Sequence, residues 1–347
     1  IFKANGIPPL VSLLDSDAGT LETQLQTAHH VADALACLAR FDAENQGQIA
    51  KRLVVLLSSE RTVAQVRGAR ALWSLAADQP SSPVVILNAG ALLPLMKMLT
   101  NESSTLGAHQ ARKEASGALE SLAMNSPSTQ QAIATGLVSS MGTSEGEGGE
   151  YVIELLLKLC NDANNRAAIA QAGGLAKLVP LLDGRGGARA RELAAATLAM
   201  LTNDKDHGAA NIAECMACGG IKSLVAMLKS ESVDAQAHAA AALAHMARGS
   251  SEGCQAIIGA GAIDPLTAML SSGTDATAKV EASCAIWSIS SSGMASIGKV
   301  AIGPLIELTA DESNSPQVLA KALGALAGLT EGQSAHQKAA MRGIDAI

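Results

Sequence analysis

Cys215 and Cys218, in the run CMAC, have the spacing of half a zinc site. A closed tetrahedral site needs four ligands, and neither a second pair nor a histidine cluster lies near them in the sequence. The pair reads instead as two small side chains at a helix junction. His238 and His245 stand seven residues apart on one helix face, where they could titrate or hold a metal. Without a third carboxylate or thiolate ligand they read as structural. GSSEG, from Gly249 to Gly253, has the G-x-S-x-G form of a nucleophile turn, but that chemistry needs a strand before the serine, and here a helix precedes it. GRGGARAR, from Gly184 to Arg191, lacks the Lys-Ser/Thr ending of a phosphate loop and reads as an inter-helix turn. Asn101-Glu102-Ser103 is a formal glycosylation sequon, of consequence only in a secreted chain. No carboxylate pair, no nucleophile with its base and no cofactor fingerprint remains. The expectation is a chain with no catalytic residues, no metal and no cofactor, and hence not an enzyme.

The elements around these residues repeat. A phrase of small residue, Gly or Ala, then apolar residues at helical spacing recurs as NGIPPLVSLL at Asn5, AGALLPLMKML at Ala89, AGGLAKLVPLL at Ala172, CGGIKSLVAML at Cys218, AGAIDPLTAML at Ala260 and VAIGPLIELT at Val300. Its anchors fall at Ile7, Ala50, Leu92, Leu137, Leu175, Ile221, Ile263, Ile302 and Ile344, a mean step of about 42 residues. After each anchor comes a longer amphipathic helix, such as VRGARALWSLAA, KEASGALESLAMN, RELAAATLAMLTND and VEASCAIWSISS. A short apolar stub, as in QQAIATG or CQAIIGAG, precedes the next phrase. One repeat is thus a short, a medium and a long helix.

Composition agrees. The chain has 347 residues, 48% hydrophobic and 16% charged, which excludes intrinsic disorder. Only two Trp, two Phe and one Tyr are present, so the core must be Ala, Leu, Ile, Val and Met, a mixture that suits helices better than sheets. At this length one globular core has stopped growing, whereas a linear stack has not. A net charge of -7 without a basic cluster argues against nucleic acid. No apolar run is long enough to cross a bilayer. Six scattered cysteines point to reduced thiols and an intracellular setting, cytoplasmic or cytoskeletal, with the nucleus open.

The helical triplet, with Gly at its first sharp turn and the long-helix text EASGALESLA, resembles the armadillo repeat family over essentially the whole chain. The resemblance implies an all-α, right-handed α-solenoid of about eight repeats, forming one body over 1–347 that continues as a segment of a longer array. The fourth repeat departs most: SSMGTSEGEGGE replaces its apolar helix, and residues 141–150 are expected to form a flexible loop.

In the family, long helices line a concave wall, and in many members an Asn before the last Leu of each long helix holds the backbone of a bound segment. The matching positions here are Cys37, Ser74, Ser121, Lys158, Met200, His245, Ser288 and Gly328, so that ladder is absent. Trp73 and Trp287 directly precede two of these positions and are expected to serve packing. The residues sharing the face, one and two turns earlier or at the ladder itself, are His30, Asp33, Arg67, Arg70, Ser74, Glu114, Ser121, Tyr151, Glu154, Lys158, His238, His245, Glu281 and Ser288. These are the candidate groove residues. Arg67, Arg70 and Lys158 would pair with acidic residues of a partner or stand as solvated surface charges.

The resemblance therefore implies a eukaryotic scaffold or adaptor that binds extended or helical protein segments and takes no small-molecule substrate. It would suit a large assembly such as a cilium or junction. Alternatives are the substrate-recruiting armadillo region of a U-box ubiquitin ligase, or a nuclear import adaptor, the latter disfavoured by the missing Asn ladder. The repeat phasing predicts that Gly90→Val or Gly220→Val lowers the melting temperature more than Arg67→Ala, because those glycines fall at tight turns.

Overall fold

The computed structural model describes residues 6–16, 21–40, 42–124, 126–142, 146–248, 250–271, 275–291, 297–311 and 314–330. Over these residues the chain forms twenty α-helices, α1 to α20, and no strand. It divides into two compact units, Ile1–Gly174 and Leu175–Ile347.

In the first unit the long helices are α2 (Leu21–Ala39), α4 (Thr62–Asp78), α7 (Leu106–Leu122) and α9 (Gly146–Leu159). Each packs beside the next. Between them run the shorter helices α1 (Ile7–Leu14), α3 (Ala43–Leu57), α5 (Ser82–Asn88), α6 (Leu92–Leu99), α8 (Pro127–Ser140) and α10 (Ala163–Gln171). The second unit repeats the plan. Its long helices α12 (Gly187–Thr202), α15 (Val233–Ala247), α18 (Ala276–Ser291) and α20 (Pro316–Thr330) also pack in series. The shorter ones are α11 (Gly174–Leu182), which begins at the division, α13 (Gly208–Ala217), α14 (Gly220–Met227), α16 (Ser251–Gly259), α17 (Ile263–Ala268) and α19 (Gly298–Ala310). Each unit is an α-solenoid: stacked helical repeats in which neighbours cover one another's apolar faces.

Local chemistry sets where the helices begin. Asp42, Thr105, Asp162, Ser232 and Ser250 each cap a helix by accepting a backbone N–H, and Pro83 and Pro127 occupy first turns where a missing N–H costs nothing. Whether a repeat has three helices or two depends on one backbone conformation. Gly90, Gly173, Gly219 and Gly261 adopt φ of 90°, 79°, 81° and 79°, breaking the stub helix from the apolar helix after it. At the anchors Ala50, Leu137 and Ile302 no such glycine is present, and the two fuse into α3, α8 and α19.

The Gly- and Glu-rich run expected to be a loop over 141–150 is helical from Gly146 onward. Glu147 pairs with the fully buried Arg112 of α7, and Gly148 lets the backbone of α9 approach Thr100, whose carbonyl oxygen would lie 2.8 Å from any Cβ there. Residues 143–145 and the repeat start near 344 lie outside the described residues.

The cores are aliphatic. Leu14, Leu35, Ile49, Leu72, Leu95 and Leu119 in the first unit, and Leu178, Leu198, Leu224, Leu243 and Ile286 in the second, are almost wholly buried. Each contributes about 1.5–3 kcal/mol of burial free energy. Polar clips hold the ends of the elements. Asn45, Asn165 and Asn211 donate side-chain amides to the carbonyls of Leu38, Ala123 and Leu201 near the ends of long helices. Gln65 and Gln236 occupy equivalent repeat positions and donate to Ser59 and Ser230 carbonyls, both at 2.7 Å. Arg112, at that position in α7, donates to the carbonyls of Asn101 at 2.6 Å and Ser103 at 2.8 Å.

These contacts reorder the expected substitution effects. Gly90 has open space around a would-be Cβ, so Gly90→Val costs chiefly the left-handed backbone conformation, about 1–2 kcal/mol. A Cβ at Gly220 would lie 2.4 Å from the Cys215 sulfur and 3.0 Å from its carbonyl oxygen, so Gly220→Val costs about 3 kcal/mol through overpacking. Arg67→Ala costs about 2–4 kcal/mol, comparable to Gly220→Val, because Arg67 is buried and holds two carbonyls. Urea unfolding of the three variants checks the order.

Candidate partner-binding face

The long helices expose one row of side chains in each unit, and the candidate residues fall along it unevenly. In the first unit His30 and Asp33 of α2 are exposed, and Arg70, Ser74, Ser121, Tyr151 and Glu154 are half-buried. Lys158 is exposed and pairs with Glu154 at 3.1 Å. Two candidates do not belong to the surface. Arg67 is 6% exposed, and its guanidinium donates to the carbonyls of Leu14 at 3.2 Å and Ser16 at 2.7 Å. It is neither a groove cation nor a solvated charge. Glu114 is 1% exposed, accepts from Gln110 at 2.6 Å and lies 3.7 Å from Arg70. Both residues stand seven before the ladder position: Arg67 is taken up by the end of α1 and the segment after it, and Glu114 by Gln110 of its own helix and Arg70 of α4.

Polar pairs link successive long helices in this unit. Arg40 and Asp78 join α2 to α4 through two oxygens, Arg70 and Glu114 join α4 to α7, and the Tyr151 hydroxyl meets His109 at 3.1 Å between α9 and α7. The Arg112 guanidinium lies 5.4 Å from the Tyr151 ring centre. Partial burial of that ring pushes the Tyr151 hydroxyl pKa up.

Trp73 stands at the centre of this face, 38% exposed. Its indole leans from α4 onto Gly117 of α7, where a Cβ would be 2.8 Å from the ring carbons. The expectation that this tryptophan only packs is therefore incomplete: one ring face rests on the neighbouring helix while a large apolar area stays open. The second unit repeats the device. Trp287 of α18 is 41% exposed and rests against Gly324 and Gly328 of α20, with the Lys321 ammonium 5.6 Å from its ring centre. Sequence spacing alone did not single out the glycines beneath each ring. The usable signal was a Trp on one long helix opposite a Gly on the next.

Around Trp287, Glu281, Cys284 and Ser288 are half-buried. Burial raises the pKa of both the Glu281 carboxyl and the Cys284 thiol. His238 and His245 are half-buried on α15. His245 Nδ1 lies 3.0 Å from the Ala199 carbonyl of α12, as donor to it. Cys215 is fully buried, and desolvation pushes its thiol up to about 12, which disfavours the thiolate a metal would need. Cys218 is exposed. Among the described residues no group of three or more His, Cys, Asp or Glu is placed to hold a metal ion. No single described helix is long and apolar enough to cross a membrane.

Burial and the neighbouring Arg248 hold the His245 ring neutral, with its pKa lowered from 6.5 to about 4. The stability tied to the neutral ring is complete above the unfolded value of 6.5 and is lost as pH falls through the folded value. His238 is shifted in the same direction, by desolvation first. The stability advantage of wild type over His245→Gln is therefore expected to shrink between pH 7 and pH 4.5, measured by urea midpoints at each pH.

The family model described as Armadillo/beta-catenin-like repeat matches residues 208–248 and 250–291. These spans are α13 to α15 and α16 to α18, each a stub, an apolar helix and a long helix. No curated protein matches the chain. Among solved structures it is similar to an engineered protein at 27% identity, covering 97% of this chain and 92% of that one, with a TM-score of 0.60. It is similar to another engineered protein at 29% identity over 70% of this chain and 97% of that one, with a TM-score of 0.55. A designed armadillo repeat protein is 23% identical over 69% and 99% of the two chains, with a TM-score of 0.53, and shares the fold. The triplet plan, the left-handed glycines between stub and apolar helices and these matches agree: residues 208–291 match armadillo repeats, and the described helices on either side follow the same armadillo-type fold.

Proposed function

We propose that this chain is a non-enzymatic scaffold that holds segments of partner proteins against the long-helix faces of its two units. The observation that carries the reading is the pair of half-exposed tryptophans, Trp73 and Trp287, each seated on glycine of the next long helix. An indole supplies a large apolar contact with little conformational entropy to lose, and a rigid floor fixes it before a ligand arrives. Charged groups flank each ring: Arg70 near Trp73, and Lys321 and Glu281 near Trp287. A bound segment would thus lay apolar side chains on the indoles and set its charges against these groups. The absence of an Asn ladder favours side-chain anchoring over capture of the ligand backbone.

The armadillo fold is typically a protein-binding one, and the candidate residues that remain accessible suit that use. An intracellular setting, as part of a large assembly such as a cilium or junction, belongs to this proposal. Six free cysteines, three of them buried, support it.

Cross-linking with mass spectrometry in the native cell tests the reading. Partner segments should cross-link near α4, α7, α18 and α20 in wild type, and be lost in Trp73→Ser with Trp287→Ser while the helical circular dichroism at the assay temperature is retained. Cross-links confined to the shorter helices and indifferent to the tryptophans would overturn it.

A further inference from the structure

A second surface of the first unit owes nothing to the long helices. The apolar helix runs seven residues past its anchor to Leu14, Leu57, Leu99 and Leu182, and six, five and eight residues past it to Met227, Ala268 and Ala310. In the fourth repeat α8 stops at Ser140, three residues past Leu137, and Gly142 adopts a φ of 84°. One helical turn is missing from the row. Beside it α6 presents Leu93, 79% exposed, at the position one past the anchor that elsewhere carries the exposed Lys51, Lys222 and Asp264.

The result is a groove of about 740 Å³ between α6 and α8, floored by Leu92, Leu93 and Met96 and bordered by Gly136. The hydroxyls that line it are already committed to their own helices. Thr100 donates to the Met96 carbonyl at 2.9 Å, Ser139 to Thr135 at 2.6 Å and Ser140 to Leu137 at 2.8 Å. Lys97 is the one charged group in the lining, is exposed, and forms no ion pair among the described residues. The groove therefore asks for apolar side chains and a single anion, in the space of a helical turn.

We propose that this groove is a docking site for a short amphipathic helix of a protein partner. Leucine-like side chains at i and i+4 enter the space of the missing turn, and a carboxylate one turn on faces Lys97. The site is separate from the tryptophan faces, so a partner could hold both at once, gaining affinity through the linkage.

The probe is a fluorescein-labelled helical peptide of Leu, Ala and Glu, about 15 residues long, with leucines at i and i+4 and a Glu one turn beyond, titrated by anisotropy against the whole chain. Saturable binding is expected, weakened about tenfold or more by Leu93→Glu. Gly136→Leu should block it as well: that position has room for a Cβ, 3.8 Å from Leu92 and Met96, and leucine favours the helix, so folding is retained while the groove fills. Lys97→Glu should weaken the peptide about two- to fivefold, and replacing the peptide's Glu with Lys should restore it. Leu106→Glu, at an equally exposed leucine of α7, should change nothing, and Trp73→Ser should leave binding intact, which separates this result from the long-helix reading. No saturable binding, or equal loss with Leu93→Glu and Leu106→Glu, would overturn the proposal.

Discussion

Everything in this chain depends on how closely one long helix can approach the next. Much of what the long helices bury has almost no side chain: Ala64, Ala69 and Ala71 on α4, Ala111, Ala115 and Ala118 on α7, Ala239, Ala240 and Ala242 on α15, and Ala278, Ala282 and Ala285 on α18, while Gly68 lets α4 approach α3. Alanine favours the helix and leaves the backbone accessible to a neighbour, so one composition serves both secondary structure and stacking. The few large aliphatic residues then fill the layer between long and short helices. No repeat encloses a core of its own, and burial is shared between neighbours.

Close approach also accounts for the character of the exposed face. Where small residues bring the helix axes together, a large side chain on one helix must lie over its neighbour, and it can do so only above glycine. Among the described residues this happens at Trp73 over Gly117 and at Trp287 over Gly324 and Gly328. The stacking rule thus produces rigid, half-open aromatic platforms. The polar links at Arg40, Arg70, Tyr151 and His245 tie one long helix to the next within each unit without covering those platforms.

The period, the helical class and the place of the long helices were legible in the residues, because a glycine turn followed by apolar residues at helical spacing has one physical reading. The helix count was less so: whether stub and apolar helix fuse turns on a left-handed glycine, present at Gly219 and missing at Ala50. Side-chain placement was harder still. A helical wheel puts Arg67, Arg70 and Ser74 on one face, but it does not register the loop that crosses the first turns of the helix and takes Arg67 for its own carbonyls. Glu114 is buried instead between Gln110 of its own helix and Arg70 of α4. The accessible part of each face is the later half of the long helix, and the groove beside α8 arose from a turn that is absent, which a repeat phrase registers only as a departure.

Trp73 and Trp287 are the only tryptophans in the chain, so their emission reports directly on the two platforms. The most direct measurement is acrylamide quenching of that emission with and without a partner segment recovered by cross-linking. If the long-helix faces hold partners, the bound complex shows a blue-shifted emission and reduced quenching. A partner that binds tightly while both indoles stay as quenchable as in the free chain would contradict the account.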